Sequence, residues 1–181
     1  MGNYKGFASI NNVHSLLKKA EYHYHKIFST IDIIERDYHI IDCVLSLNML
    51  FEYILNDNKL DEPIKQTYLY SFYPYKDPSK DKDYKIHFGV NPPNLNIFQF
   101  YIRQLSNNFK HFINDHFEFK CTEWNSPVCM GDSMIGDQDS YMAPSFTYYI
   151  KGEQDNPGYN LLNIISEQIK AHKDFFTRYL S

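Results

Sequence analysis

Apolar residues recur at intervals of three and four along two successive segments near the start of the chain. The first segment covers residues 13–31, and Asn11 or Asn12 can cap its first turn. Its apolar face consists of Val13, Leu16, Leu17, Ala20, Tyr24, Ile27 and Phe28. The second segment, residues 34–57, contains no glycine or proline and has a broader apolar arc. The pattern therefore predicts two consecutive helices, the second of them the central helix of a bundle.

The helical period is lost over residues 57–93, where charges alternate and prolines recur. A connection of this length is unusual inside a compact domain and indicates a loop or an insertion. One short helix is predicted within it, over residues 62–73, because Pro63 is well placed for a first helical turn.

A third long helix is predicted over residues 97–113. Its apolar positions again repeat every three or four residues, and Asn94 or Asn96 can cap its first turn. The polar side of this helix carries Arg103 and His111, and it has the clearest chemical pattern in the chain.

Beyond residue 115 the aromatic and polar residues alternate, which is typical of strands. Residues 116–152 are predicted to form a β-hairpin with a long loop. A final amphipathic helix over residues 160–180 can begin at Gly158 or Asn160. The order of elements predicts a mainly α fold, an up-and-down helical bundle with a small β-hairpin before the C-terminal helix. We expect one domain over residues 1–181.

Composition narrows the classes of function. The net charge is −4, and the lysines and arginines are scattered along the chain. Sequence-independent binding along duplex DNA needs a basic arm or stripe, and the chain has neither. A local phosphate site is still compatible with this composition, since it needs only one or two cations.

The remaining compositional signals predict a cytoplasmic protein. Cys43 lies in an apolar helical run and is interpreted as a reduced core residue, whereas Cys121 and Cys129 could approach each other across a loop. The first residues lack the apolar core of a signal peptide, and no window of 18 apolar residues indicates a membrane span.

Three polar residues of the third helix form a row. Arg103, Asn107 and His111 are spaced by four, so each is rotated by only about 40° from the one before. A guanidinium, an amide and an imidazole along one side could bind a phosphodiester and move a proton. Polar residues on the outer face of an amphipathic helix give the same pattern without any chemistry, so both interpretations stay open.

The segment "LSNNFKHF", residues 105–112, follows an upstream helix containing "DCVLSLNMLFEYI", residues 42–54. This combination resembles the HEPN-like superfamily, in particular a bacterial branch with an arginine followed by an Asn-x-x-Lys-His-Phe run. The resemblance implies an α-helical bundle. In the active branches it also implies metal-independent RNA cleavage, with the site built by two protomers in toxin–antitoxin and phage-defence systems.

Carried over to this chain, the resemblance implies a role for each polar residue. His111 would act as general acid or base, Asn107 as its polar partner, and Arg103 would stabilise the phosphorane charge, helped by Lys110. Glu52, on the preceding long helix, would orient the arginine or the histidine. The implied partners are RNA, a second copy of the chain and an antitoxin-like protein, with no cofactor, no metal and no membrane.

The spacing of the row departs from the catalytic HEPN pattern. Seven residues separate Arg103 from His111, where the pattern has four to six, and Asn does not directly follow the arginine. A non-catalytic dimerisation or binding module of HEPN-like fold is therefore the alternative hypothesis.

A second group of candidate ligands lies on the central helix, where Glu35, His39 and Asp42 share one face. His14 or His25 could complete a metal site with them, but the paired Glu-x-x-His motifs of di-iron bundles are missing. A solvated or salt-bridged face is the preferred interpretation. His23 and His25 point about 200° apart on a helix and are interpreted as surface residues.

Overall fold

The computed structural model describes residues 12–75, 93–111, 119–124, 145–150 and 159–180. It confirms the mainly α prediction. The chain divides into two compact units, one of Met1–Ile113 with Ile164–Ser181 and one of Asn114–Asn163. The single domain over residues 1–181 stays a prediction. Residues 76–92 of the predicted loop or insertion over 57–93, and the long loop of the hairpin predicted over 116–152, lie outside the described residues.

Five α-helices lie within the described part of the chain: α1 Val13–Ser29, α2 Ile33–Asn56, α3 Glu62–Ser71, α4 Ile97–His111 and α5 Leu161–Tyr179. Each begins within about two residues of its predicted start. Asn12 caps α1, since its side chain accepts a hydrogen bond from the Ser15 backbone N–H at 2.9 Å. Pro63 lies in the first turn of α3, where its missing N–H costs nothing.

Asn96 explains how α4 is positioned. Its Oδ1 accepts from the Gln99 backbone N–H at 2.9 Å, which makes Asn96 the cap that the sequence had left open between two asparagines. Its Nδ2 donates to the Ser71 carbonyl at the end of α3, at 2.8 Å, and Gln168 Nε2 of α5 donates to its Oδ1 at 3.1 Å. One side chain therefore links the start of α4 to two other helices.

α1 and α2 form an antiparallel pair with an apolar contact. Ala20 and Cys43 are completely buried where the two helices meet, and the Cys43 thiol donates to the Ala20 carbonyl at 3.3 Å. Burial raises the pKa of the Cys43 thiol to about 12, so it stays a thiol at neutral pH. The prediction of a reduced core cysteine is confirmed, whereas the side chains of Cys121 and Cys129 lie outside the described residues.

One expectation about the apolar faces was wrong. Phe28 was assigned to the buried face of α1, but its side chain is 62% exposed. It lies in the last turn of α1, opposite the first turn of α2, where Ile33 and Ile34 are exposed as well. By length and composition alone α2 could cross a membrane, but the core helix of a protein that crosses no membrane passes the same test. Half of its apolar window is buried inside the protein, as in the core helix of a bundle.

The second unit contains an antiparallel sheet in the order β1-β2-β3. β1, Phe119–Trp124, pairs with β2, Ser145–Ile150, so the predicted hairpin is confirmed. β3, Tyr159–Asn160, adds a short third strand that the sequence did not predict, since two residues carry no detectable alternation.

Candidate functional site

Glu52 and Arg103 meet where α2 and α4 lie side by side. Arg103 Nη1 is 3.3 Å from Glu52 Oε1, and the two side chains are 24% and 41% exposed. The structure thus brings together two of the residues that the sequence had singled out. Because both side chains reach solvent, this ion pair can open without leaving a buried charge unpaired.

Two further residues hold this pair in place. Asn48, one turn before Glu52 on α2 and fully buried, donates from Nδ2 to the same Oε1 at 3.1 Å. The Arg103 guanidinium carbon lies 5.1 Å from the centre of the Tyr75 ring, within the range of a cation–π contact. Sequence reasoning missed both residues. An amide inside the apolar run of α2 was a usable signal for Asn48, but nothing marked Tyr75.

Several buried polar side-chain atoms of α2 and α4 make no hydrogen bond within the described part of the chain. They include Asn48 Oδ1, both amide atoms of Gln99, and Ser106 Oγ. Gln99, Arg103 and Ser106 follow each other at intervals of four and three, so they share one face of α4. We call Asn48, Gln99 and Ser106 the polar seam. Buried groups of this kind are usually satisfied by ordered water or by a ligand, so the seam favours polar occupants.

The rest of the predicted row is placed only in part. Asn107 is partly buried and Lys110 is exposed. His111 is the last residue of α4, about 12 Å along the helix from Arg103, and its side chain lies outside the described residues. The roles of Asn107, Lys110 and His111 therefore stay predictions.

An open cavity of about 580 Å³ adjoins Glu52 at the C-terminal end of α2. Its lining residues are Met49, Glu52, Tyr53, Asn56, Asp57, Asn58 and Lys59. The volume falls within the range that small-molecule sites occupy. Glu52 therefore faces Arg103 and also lines a space in which a ligand could lie.

One histidine of α1 is not placed as expected. His23, interpreted as a surface residue, is largely buried, and its Nδ1 lies 3.0 Å from Nδ1 of His39 on α2. His25 is exposed, as predicted. The preferred interpretation of a salt-bridged face on α2 is also confirmed, since Asp42 lies 3.8 Å from Lys19 and Glu35 lies 3.9 Å from His39. Within the described residues, no group of three or more His, Cys, Asp or Glu could hold a metal ion.

A second polar contact, between Tyr68 of α3 and His172 of α5, is fully buried. His172 Nδ1 lies 2.7 Å from the Gln168 backbone carbonyl, which can only accept, so Nδ1 carries the hydrogen. His172 Nε2 then accepts from the Tyr68 hydroxyl at 2.8 Å. Burial lowers the pKa of His172 to about 4, so the ring stays neutral at pH 7. The sequence analysis overlooked this histidine, although it lies on the apolar stripe of α5.

No protein-family model, no curated protein and no solved structure matches this chain. The site is therefore interpreted from its own residues and contacts. The HEPN-like resemblance stays a prediction that depends on residues 42–54 and 105–112.

Proposed function

We propose that this chain is a HEPN-like, metal-independent endoribonuclease that acts as a homodimer. The observation that carries the proposal is the contact between Glu52 and Arg103 beside an open cavity. The resemblance implied that a carboxylate on the preceding long helix would orient the arginine. A carboxylate at hydrogen-bond distance from a half-open guanidinium supports that role.

In the proposed reaction the RNA supplies its own nucleophile. The 2′-hydroxyl attacks the adjacent phosphorus, the bond to the 5′ oxygen breaks, and a 2′,3′-cyclic phosphate and a 5′-hydroxyl result. His111 takes the proton from the 2′ oxygen or delivers one to the leaving 5′ oxygen, and two protomers would supply both roles. Arg103 and Lys110 bind non-bridging oxygens, Asn107 orients the phosphate, and Glu52 holds Arg103 in a fixed rotamer.

The outer face of α2 supports dimerisation. Four large side chains are exposed there: Ile34 at 60%, Tyr38 at 61%, Met49 at 47% and Tyr53 at 43%. Their positions are symmetric about residues 43 and 44, so a two-fold axis crossing α2 there pairs Ile34 with Tyr53 and Tyr38 with Met49 of its partner. Met49 and Tyr53 also line the cavity, so the same contact would bring the partner next to Glu52.

One observation favours the alternative, a non-catalytic dimerisation or binding module. Glu52 already neutralises the charge of Arg103, and the Tyr75 ring lies against the guanidinium. A phosphate would have to compete with this carboxylate. In that case the Arg103 pair stabilises the packing of α4 on α2, and the polar row serves as part of an interface.

The proposed setting follows from the resemblance. The enzyme would act in the cytoplasm as part of a defence or stress system, with an antitoxin-like protein that blocks the site until it is needed. Neutralising Arg103 or covering the cavity beside Glu52 would be the simplest way for such a partner to inhibit cleavage.

The test is an RNA cleavage assay with single- and double-stranded RNA in excess EDTA. We expect the wild type to leave 2′,3′-cyclic phosphate ends, and His111→Ala to lower the rate ~10²–10⁴-fold. His25→Ala is the matched control, because His25 is exposed on α1 and outside the proposed site. No cleavage by the wild type, or equal cleavage by the His111 variant, would reject the assigned mechanism.

A separate measurement distinguishes the module from the enzyme. We expect the wild type to sediment as a dimer, and Tyr38→Lys with Met49→Lys to sediment as a monomer. If the double variant still sediments as a dimer, the proposed α2 interface is wrong. A dimer without RNA cleavage would support the non-catalytic module.

A further inference from the structure

The contact between the rings of His23 and His39 depends on how many hydrogens their nitrogens carry. Their Nδ1 atoms lie 3.0 Å apart, and both side chains are nearly buried, at 13% and 14% exposure. Two bare nitrogen lone pairs repel each other at this distance, and so do two N–H groups. The contact is therefore attractive only when one hydrogen lies between the two rings.

The outward nitrogens of both rings face carboxylates. His23 Nε2 lies 3.9 Å from Asp42 Oδ2, and His39 Nε2 lies 3.9 Å from Glu35 Oε1. Each carboxylate favours a hydrogen on the nitrogen that faces it. Asp42 is in turn 3.8 Å from Lys19 Nζ, and the Tyr22 ring packs edge-on against His23 at 5.2 Å. These are the charged and titratable groups that face the pair from α1 and α2.

Counting hydrogens identifies one state that satisfies all four ring nitrogens. With two hydrogens the pair is neutral. Either the two Nδ1 lone pairs then face each other, or one carboxylate faces the lone pair of an Nε2 atom. With four, two N–H groups point at each other. With three, one hydrogen lies between the rings and one faces each carboxylate, and the pair carries a single positive charge.

We propose that His23 and His39 form a proton-sharing pair, which joins α1 to α2 while it holds one extra proton and separates them when it takes a second. The assignment stands apart from the proposed ribonuclease, since neither residue belongs to that site. It makes the α1–α2 contact a pH-sensitive element of the fold. Lowering the pH first strengthens this contact and then breaks it.

Burial opposes a positive charge on His23, and repulsion between the two rings further opposes a second proton on the pair. The pKa of His23 is lowered chiefly by burial, with Asp42 acting in the opposite direction and Lys19 and His39 adding to the decrease. A second positive charge on His39 would add repulsion across 3.0 Å. The two rings therefore share the protons that bind below neutral pH. We expect these protons to bind to the pair in two separate steps.

The experiment is a pH titration of the full-length protein with ¹⁵N-labelled histidine, followed by NMR of the ring nitrogens. We expect the ring nitrogens of His23 to titrate in two steps, because each proton that the pair takes changes the charge beside them. His39→Gln should replace both by a single step at His23. His25→Gln, an exposed neighbour on α1, should leave the two steps in place. A single step in the wild type, or a His23 titration that ignores His39→Gln, would overturn the proposal.

Metal ions provide the second arm of the test, because paired imidazoles also chelate transition metals. The titration is repeated with excess EDTA and with added Ni²⁺. Two steps that persist unchanged in EDTA, with no Ni²⁺ binding that depends on His23 and His39, support proton sharing. Tight Ni²⁺ binding that is lost in either His→Gln variant would instead make the pair a metal site and overturn the assignment.

Discussion

Two of the polar contacts that join helices in this protein, Tyr68–His172 and Glu52–Arg103, differ in burial and in how completely their polar atoms are hydrogen-bonded. The pair Tyr68–His172 is fully buried, and both ring nitrogens of the histidine are hydrogen-bonded. The pair Glu52–Arg103 is half-open and adjoins a cavity, with unpaired amide atoms nearby. A sealed and complete network stabilises the fold, whereas an open and incomplete one can exchange its partner for a ligand.

The aromatic residues around His172 explain the difference. Phe72 lies against its ring at 4.2 Å, and Phe175 packs edge-on against Tyr68 at 5.0 Å. They exclude water, so the hydrogen bond becomes strong and a charge on His172 becomes costly. Arg103 lies beside the Tyr75 ring but is still 24% exposed, so solvent stabilises its charge.

The largest expected effect is the loss of the sealed pair. His172→Ala removes a fully buried ring and leaves the Tyr68 hydroxyl without its acceptor, so we expect a loss of about 4 kcal/mol in unfolding free energy. Urea denaturation at pH 7 measures it. His25→Ala, on an exposed face of α1, should change stability by less than about 0.5 kcal/mol. Similar losses in both variants would show that the Tyr68–His172 contact makes no large contribution to the free energy of unfolding.

The sealed pair should also make the fold sensitive to acid. The pKa of His172 is about 4 in the fold and 6.5 when unfolded, so the unfolded chain binds the extra proton between these values. Its contribution to stability is complete above pH 6.5 and decreases as the pH falls towards 4, by about 3 kcal/mol. Urea denaturation at pH 7, 5.5 and 4 should show this slope in the wild type. In His172→Phe that part of the slope should vanish, and an unchanged slope would contradict the assignment.

A smaller effect of opposite sign is expected in the polar seam. Both amide atoms of Gln99 are buried and make no hydrogen bond to any other described residue, so Gln99→Leu removes a desolvation cost and should stabilise the protein by about 1 kcal/mol. Thermal unfolding is the measurement, with Gln104→Leu on a partly buried face of α4 as the control. A loss of stability instead would indicate that Gln99 holds a water molecule or ligand.

The smallest effect on stability is expected at the open pair. Arg103→Met should cost less than about 1 kcal/mol, since the ion pair is partly screened by solvent. The same variant should abolish RNA cleavage if the proposed function is right. A stability loss comparable to that of His172→Ala would place Arg103 among the structural residues and favour the non-catalytic module.

Local patterns in the chain predicted the secondary structure well, because helix periods, caps and strand alternation act over a few residues. The spacing of apolar residues predicted α1 and α2, and Pro63 marked the start of α3. Of the two asparagines available to α4, only the structure identified Asn96, since the choice depends on contacts with α3 and α5.

The side chains that carry chemistry were predicted less completely, because their partners are distant in the chain. The row on α4 pointed to Arg103, and the resemblance pointed to Glu52, 51 residues earlier. Tyr75 was missed because a loop residue has no periodic signal. His23 was misplaced because a helical wheel compares it with His25 and says nothing about the helix opposite.

The sequence by itself determined which segments form the five helices and the strands β1 and β2, and it indicated a polar row on α4. Only the tertiary structure decided which polar groups became sealed and which stayed open. His172 and Arg103 both sit on amphipathic helices, but the rings of Tyr68 and Phe72 pack against His172, whereas Arg103 stays partly open to solvent. Burial depends on residues from several helices at once, and that is why a pKa of about 4 for His172 and a solvent-accessible charge on Arg103 arise only in the folded protein.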